Sequence, residues 1–457
     1  MLLTAKYVMP ITSPFIEDGA VVVHDDKIVA VGPAAKLKAE YPDEEVRDFG
    51  LAAISPGFVD LHTHLRYTAL RGLFEDMPYA DWKRAVLRCE PFLSHSDWED
   101  SAFLGALEAI ASGITTLADI TIPGSPVKAI HRSGLRGVVY REVITMRPEN
   151  VDDAMEDALA DIERWKERTS DTDRLTYGLA GGPIYSTHPK VYKAIAEHVG
   201  SSDMPVAMHL AGSREEADFI RYGSSPFSVH ASQGSSFDME MPPWLPAGVS
   251  SVRYVYNWDI LDVPNMLVVH AVQVDETDIK ILAQQNVAVA HCPRINAKLG
   301  MGFAPVNDML DEMRVGLMIN RAVNAGRHRG MTGEKMLRMG TIDAAKALRM
   351  DHLIGSLEPG KKADIIAVDL HNSHQNPTSD PASAVIYTAN QDNVMWTMVD
   401  GRVLYDNFVH VSGLQRDKIV DTAREIRSRI RHGMNDETLY RQILKRLEED
   451  ASDRLKR

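Results

Sequence analysis

A long alternation of strand-like and helix-like segments restricts the fold of this chain more than any other feature. Between residues 56 and 320, short apolar segments alternate with longer amphipathic ones. Helices are predicted near residues 96–112, 152–168 and 275–285. Eight strands are predicted, near residues 58–64, 114–120, 136–144, 174–180, 204–211, 266–274, 287–292 and 315–320. Eight such units in series predict an α/β fold, a parallel (β/α)8 TIM barrel with its active site at the C-terminal ends of the strands.

Both ends of the chain read as strands that lie outside the barrel. Alternating apolar residues occur at 20–24 and 27–32, and again at 364–368 and 394–399. These segments predict a small β-sandwich domain built from both chain ends. The predicted domains are therefore residues 1–55 plus 356–412 for the β-sandwich, residues 56–355 for the barrel, and residues 413–457 for amphipathic C-terminal helices.

The composition of the 457-residue chain excludes several classes of binding partner and predicts its location. Its formal net charge of −14 argues against a nucleic-acid partner or an anionic membrane. The only two cysteines, Cys89 and Cys292, cannot build a disulfide framework or a cysteine-based zinc site. No apolar run approaches the ~20 residues that span a bilayer. A cytoplasmic protein that binds neither nucleic acid nor membrane is predicted. The amphipathic C-terminal helices are interpreted as a packing or an oligomer surface, and a homo-oligomer is predicted.

Four histidines come where predicted strands end. His62 and His64 are two residues apart at the end of the first strand, so their side chains point to the same face. His209 and His270 end the fifth and sixth strands. Three neutral imidazoles and a water suffice for a catalytic metal site with an open fourth position. The sequence therefore predicts one divalent metal ion, with zinc preferred and iron, cobalt or manganese as alternatives.

Several motifs resemble those of the amidohydrolase superfamily, especially its triazine hydrolase and methylthioadenosine–adenosylhomocysteine deaminase branch. The motifs are PGFVDLHTH at 56–64, MHLA at 208–211, VHAVQ at 269–273, AHCPR at 290–294 and GSLEPGKKAD at 355–364. The resemblance covers nearly the whole chain. It implies that His62, His64 and His209 are metal ligands and that His270 contacts the substrate or the metal-bound water.

The chain departs from this family where proton transfer is concerned. Gly212 replaces the glutamate that shuttles protons in the deaminases, and Gly182 replaces a substrate-contacting histidine. The predicted eighth strand ends in Asn320, where the family has a metal-binding aspartate. An asparagine offers its oxygen to a metal, but it accepts no proton at neutral pH. His270 is therefore the predicted base, and His270 and Asn320 are the predicted catalytic residues.

The altered residues also bear on the substrate. Without the glutamate, ring deamination loses roughly 10²–10⁴-fold by the usual magnitude of acid–base catalysis. Amides, ureas, carbamates and heterocycles with a good leaving group become favoured. A small neutral substrate, partly apolar or heterocyclic, is predicted. Residues 224–248 are read either as a lid or as a subunit contact. The candidate substrate-binding residues are His188, Glu142 and Trp244.

Two functions remain open at this point. The favoured one is a metal-dependent hydrolase in which metal-bound hydroxide attacks an electron-poor carbon and cleaves a non-peptide C–N bond. The alternative is a catalytically degenerate paralogue that kept the fold and acts as a binding or assembly partner. The retained histidines favour the hydrolase, and the changes at Gly182, Gly212 and Asn320 favour the paralogue.

Overall fold

The computed structural model of the chain describes residues 1–122, 124–200, 202–224, 226, 245–301, 309–323 and 331–436. Its strands belong to two separate sheets. In chain order they are β1 (Leu2–Val8), β2 (Ile16–His24), β3 (Lys27–Pro33), β4 (Val46–Asp48), β5 (Ala52–Pro56), β6 (Phe58–Thr63), β7 (Ile114–Thr121), β8 (Arg136–Val143), β9 (Leu175–Gly181), β10 (Val206–Leu210), β11 (Met266–His270), β12 (Ala288–Ala290), β13 (Ile365–Asp369), β14 (Val394–Val399), β15 (Arg402–Asp406) and β16 (Val409–His410).

The helices occur along the whole described chain, most of them between or after the barrel strands. The three helices predicted from sequence are confirmed as α3, α5 and α9. The α-helices among the described residues are α1 (Ala34–Glu40), α2 (Tyr79–Cys89), α3 (His95–Ala111), α4 (Ser125–Ser133), α5 (Val151–Arg168), α6 (Pro189–Val199), α7 (Arg214–Tyr222), α8 (Ser251–Tyr256), α9 (Glu276–Gln284), α10 (Pro293–Lys298), α11 (Met309–Val323), α12 (Gly333–Met339), α13 (Ile342–Ala347), α14 (Pro381–Thr388) and α15 (Arg416–Asn435).

Seven parallel strands form a nearly closed barrel. They pair in chain order from β6 to β12, and each is parallel to the next. Gly57, just before β6, allows this strand to approach its neighbour, because a Cβ there would lie 2.1 Å from the Thr115 side chain. The first seven predicted strands are confirmed, and so is the barrel with a small sheet domain.

The eighth strand predicted near residues 315–320 is wrong, because these residues lie in helix α11. The buried side chains of Leu310, Met313 and Leu317 are three and four residues apart, which is the spacing of one helix face. Met318, next to Leu317, is 51% exposed. A short apolar run does not by its periodicity distinguish a strand from a buried helix segment.

Helices α12 and α13 pack at the N-terminal end of the barrel. The backbone N–H of Val59 on β6 donates to the carbonyl of Gly340, 2.9 Å away at the end of α12. Inside the barrel, Val59 and Leu267 belong to the same buried cluster as Ala344 on α13. These helices therefore cover part of that end, and the strands have their C-termini at the opposite end.

The second sheet combines both ends of the chain, as predicted. Its order is β16-β15-β14-β13-β5-β1-β2-β3, and β4 pairs with β1. The junction is the antiparallel pair of β5 and β13. Arg136 on β8 forms buried ion pairs with Asp364 at 2.9 Å and Asp400 at 3.2 Å, which hold this sheet against the barrel. The exact domain boundaries given above stay a prediction.

Helix α15 is the described part of the predicted C-terminal helices. Its apolar face carries Ala423, Ile426 and Ile430, which pack with Leu70 and Trp98 in one buried cluster. This face is therefore used within the chain. In the described part of the protein, no helix combines the length and the apolar character needed to cross a bilayer.

Candidate functional site

Three histidines converge at the C-terminal end of the barrel. His62, His64 and His209 each offer one ligand atom, and these atoms all lie within 4.8 Å of one another. The Nε2 atoms of His64 and His209 are 3.3 Å apart. Two nitrogens bound to one zinc at ~2.05 Å in a tetrahedral arrangement are about 3.3 Å apart. The arrangement therefore has the dimensions of a metal site.

The strand geometry and a hydrogen-bonded neighbour orient this group. His64 Nδ1 lies 2.8 Å from the carbonyl of Ile120 on β7, so Nδ1 carries the proton and Nε2 is left free to bind. Asp119 accepts hydrogen bonds from Thr63 Oγ1 at 2.8 Å and from the Leu65 backbone at 2.7 Å. Asp119 thus fixes the end of β6 on both sides of His64.

The electrostatics keep the imidazoles neutral, which is the form that binds metal. Burial lowers the pKa of His64 to about 3. Burial and the neighbouring histidines lower the pKa values of His62 and His209 well below their ordinary range. Nδ1 of His62 is buried and has no hydrogen-bond partner among the described residues. A buried polar atom without a partner is costly, and a bound ligand would remove that cost.

His270 lies beside the three histidines and is held by Asn296. The His270 ring centroid is 5.7 Å from that of His62 and 5.6 Å from that of His209. His270 Nδ1 donates to Oδ1 of Asn296 at 2.8 Å, so the other ring nitrogen keeps its lone pair. Burial lowers the pKa of His270 to about 4, so it is a weaker base than the sequence suggested.

Gly212 gives the His270 ring its space. A Cβ at this position would lie 3.2 Å from Cδ2 of His270 and 2.9 Å from Cε of Met301. The His270 backbone is itself unusual, with a φ of 81° followed by 48° at Ala271. Such strained conformations persist where the surroundings hold them, often at functional sites. A side chain at position 212 would therefore crowd the His270 ring, so the loss of the glutamate and the position of His270 depend on each other.

The other predicted residues do not gather at the histidines. Asn320 lies on α11 rather than at a strand end, and its side chain is exposed at the edge of the cavity. His188 caps helix α6 by accepting from the Lys190 backbone at 3.0 Å, and it does not line the cavity. Trp244 lies outside the described residues.

Glu142 does line the cavity, at the end of β8. Its neighbour Arg141 points elsewhere and pairs with Asp161 at 2.7 Å. Burial raises the pKa of Glu142, and Lys83 on α2 opposes this rise. The two adjacent residues therefore have different roles, with Arg141 in a structural ion pair and Glu142 in the site.

One large cavity of about 1360 Å³ contains the four histidines. Lys83, Tyr67, Tyr79 and Trp82 line one wall, and Glu312 on α11 lines another. Glu312 accepts a hydrogen bond from the Arg294 backbone at 3.1 Å. Burial raises the pKa of Glu312 to about 8, against a lowering influence from Arg294.

Sequence reasoning missed Asn296, Lys83 and Glu312. Asn296 follows the seventh strand closely, so its distance from a strand end was a usable signal. Lys83 and Glu312 lie on helices, and their sequence carries no motif that would place them in a cavity. Only the packing of α2 and α11 against the barrel brings them there.

The chain matches the profile of the Amidohydrolase family over residues 53–404. A second profile, the imidazolonepropionase-like composite domain of bacteria, matches residues 19–43. The first match spans the barrel and the strands that return to the small sheet, and the second lies within β2, β3 and α1.

Curated relatives extend over almost the whole chain. A 5-methylthioadenosine/S-adenosylhomocysteine deaminase of Symbiobacterium thermophilum is 29% identical over 428 residues, which is 88% of this chain and 92% of that protein. The protein of the same name from Nitratidesulfovibrio vulgaris strain Hildenborough is 30% identical over 422 residues, 85% of this chain and 88% of the other.

Solved structures show the same fold. An adenosine deaminase from Xanthomonas campestris, with bound zinc, has a TM-score of 0.79 and 24% identity, and the match covers 94% of this chain and 98% of that one. Atrazine chlorohydrolase from Arthrobacter aurescens, complexed with zinc, has a TM-score of 0.76 and 20% identity, with coverage of 93% and 99%.

Proposed function

Because the chain belongs to the amidohydrolase family, we propose that it is a metal-dependent hydrolase that cleaves a carbon–nitrogen bond in a small, partly apolar or heterocyclic substrate. The predicted enzyme class, a hydrolase of carbon–nitrogen bonds other than peptide bonds, is confirmed by the family and its curated relatives. The convergence of His62, His64 and His209 carries the proposal for this chain.

The residues of the site fit a single divalent metal ion. Three neutral imidazoles, with two of their nitrogens 3.3 Å apart, suit a tetrahedral centre with one open position. The donor set is all nitrogen, which suits zinc, iron, cobalt or manganese, and zinc is our first choice. A zinc ion is present in the adenosine deaminase of the same fold.

When bound, the metal would supply a Lewis acid that lowers the pKa of a coordinated water. His270 would hold that water through the ring nitrogen opposite Asn296. Because burial lowers its pKa to about 4, His270 would be neutral near pH 7, and its free ring nitrogen would accept a hydrogen bond or a proton from that water. Asn320, exposed on α11, is not proposed to hold the metal.

The absence of a carboxylate at Gly212 limits the reactions that the site supports. Ring deamination needs a proton on a ring nitrogen, and position 212 offers no group to carry it. Amides, ureas, carbamates and heterocycles with a good leaving group remain our proposed substrates. The relatives named above are deaminases of nucleoside derivatives, so aminopurines belong in any screen.

Metal analysis combined with a substrate screen tests this proposal. The purified chain is expected to contain about one metal ion, and His209→Ala is expected to lose that metal and all turnover. His198→Ala, on the exposed C-terminal turn of α6, is the matched control and should retain both. A chain without stoichiometric metal would contradict the proposal, and turnover that requires His270 would exclude the degenerate paralogue.

The location of the protein, its assembly and the role of residues 224–248 are also proposals. The cytoplasm is the proposed location, since two free cysteines suit a reducing compartment. A homo-oligomer is the proposed assembly. Residues 224–248, most of which lie outside the described residues, keep their two predicted roles as a lid or a subunit contact.

A further inference from the structure

One wall of the histidine cavity carries two side chains of opposite charge. Lys83 comes from α2 and Glu142 from the end of β8, and both line the cavity. The Tyr67 ring joins this wall to the histidines, because it lies 5.5 Å from the ring of His64 and 6.1 Å from the ring of Trp82, the residue before Lys83. Lys83 therefore lies on the side of the cavity that a substrate bound at the histidines would contact.

Neither charge is paired by another described side chain. Lys83 and Glu142 influence each other's pKa, yet they form no ion pair within 4.0 Å, and neither side chain has a hydrogen bond within the described part of the chain. Both are partly shielded from solvent. Burial disfavours the charge of Lys83, but Tyr67, Tyr79, Glu142 and Glu90 outweigh this effect and raise its pKa, so Lys83 is a cation at neutral pH. No described side chain bonds to this ammonium group, so its hydrogen-bond donors can contact an anionic group of a ligand.

The surroundings of Lys83 define the rest of the ligand. Tyr67, Tyr79 and Trp82 line the same wall, and the Tyr79 and Trp82 rings lie 6.3 Å apart at an interplanar angle of 20°. The Tyr79 hydroxyl is 2.6 Å from that of Tyr185, which fixes its position. Flat aromatic side chains favour contact with a planar ring. The wall therefore combines a surface for an aromatic group with one cation.

We propose that Lys83 is a specificity-determining residue that binds a carboxylate on a planar substrate whose reacting carbon lies at the histidines. The inference deepens the proposed function and rests on it. It revises the sequence-based prediction of a neutral substrate. Glu142, which lines the same cavity, would repel a second negative charge and accept a hydrogen bond from an amine or hydroxyl group.

Calorimetric titration of the purified full-length protein with benzoate and with benzamide tests the proposal. The two probes share the ring and differ in charge. The wild-type chain is expected to bind benzoate about 10–100-fold more tightly, as expected for a hydrogen bond to a charged group. Lys83→Met should remove this preference and leave benzamide binding unchanged, whereas Lys83→Arg should restore it.

Two further variants complete the experiment. Lys335→Met changes an exposed lysine on α12, outside the cavity, and should bind both probes as the wild type does. Glu142→Gln should strengthen benzoate binding, because it removes a nearby negative charge. A thermal unfolding curve for each variant confirms that it is folded.

The proposal is overturned if the wild-type chain shows no preference for benzoate, or if the preference survives Lys83→Met. The second result would assign the carboxylate to another cation or to a metal. Because binding is measured without turnover, this result is independent of whether hydrolysis of any substrate is found. Loss of metal in His209→Ala tests the proposed function separately.

Discussion

The two sides of the barrel mouth differ in how much of the family pattern they retain. On one side, His62, His64, His209 and His270 lie at the ends of β6, β10 and β11, and each of these strands pairs in parallel with a neighbour. On the other side, the chain after β12 forms α10 and α11, where the sequence suggested another strand. The first side supplies the candidate metal ligands, and the second supplies Glu312 and the exposed Asn320.

The difference shows that a metal site depends on few elements of the barrel. Three imidazoles from two strands suffice to place their nitrogens within 4.8 Å of one another. Groups that move protons come from neighbouring loops and strand ends, and there the chain has diverged at Gly182 and Gly212. Position and chemistry of the site are therefore specified by different parts of the sequence.

The largest expected effect is the difference in kcat/KM between the variants His270→Ala and Asn320→Ala. His270→Ala should lower kcat/KM by about 10³-fold or more, because the residue contacts the reacting water in the proposed site. Asn320→Ala should change it by less than about threefold, because the residue lies exposed on a helix. Steady-state kinetics on any substrate from the screen measure both. Equal losses in the two variants would mean that α11 takes part in the chemistry.

Stability measurements test the helix that stands in place of the eighth strand. Leu317→Ala should lower the free energy of unfolding by about 2–5 kcal/mol, the usual cost of truncating a buried leucine. Met318→Ala, at the adjacent exposed position, should change it by less than about 0.5 kcal/mol. Denaturant unfolding gives both values. A strand would instead place Leu317 and Ile319 on one face, so similarly large costs for Leu317→Ala and Ile319→Ala would contradict the helix.

The smallest effect concerns the pH dependence of stability through Glu312. Its pKa is about 8 in the folded protein and near 4.5 in the unfolded chain, because burial disfavours the charge. Between these values the folded state binds more protons, so the contribution of Glu312 to stability falls as pH rises from about 4.5 to 8. The variant Glu312→Gln does not lose stability in this way between pH 4.5 and 8. The loss avoided is at most a few kcal/mol in the free energy of unfolding.

Thermal unfolding of wild type and Glu312→Gln at pH 5 and pH 8.5 measures this effect. The variant should gain in relative stability at the higher pH. Asp60, Arg294 and Cys292 are electrostatic neighbours of Glu312 and are present in both proteins, so their titration largely cancels in the difference. A pH-independent difference would place the Glu312 carboxylate in contact with water.

Much of the barrel was predictable because its signals are local. The strands that precede His64 and contain His209 and His270 are short apolar runs, and each histidine lies at the end of its strand. The helix at residues 309–323 was not predictable in this way, because Leu317, Met318 and Ile319 form a short apolar run that fits either period. Asn320 was misplaced together with that run.

The sequence by itself determined the family, the barrel and the four histidines, because strand periodicity and strand ends are properties of contiguous residues. Only the tertiary structure decided that Asn296 orients His270, that Gly212 leaves space for its ring, and that Lys83 faces the same cavity. These relations join residues far apart in the chain, and they depend on how helices pack against strands. Packing at that distance leaves no periodic signal in the sequence, so it had to be seen in three dimensions.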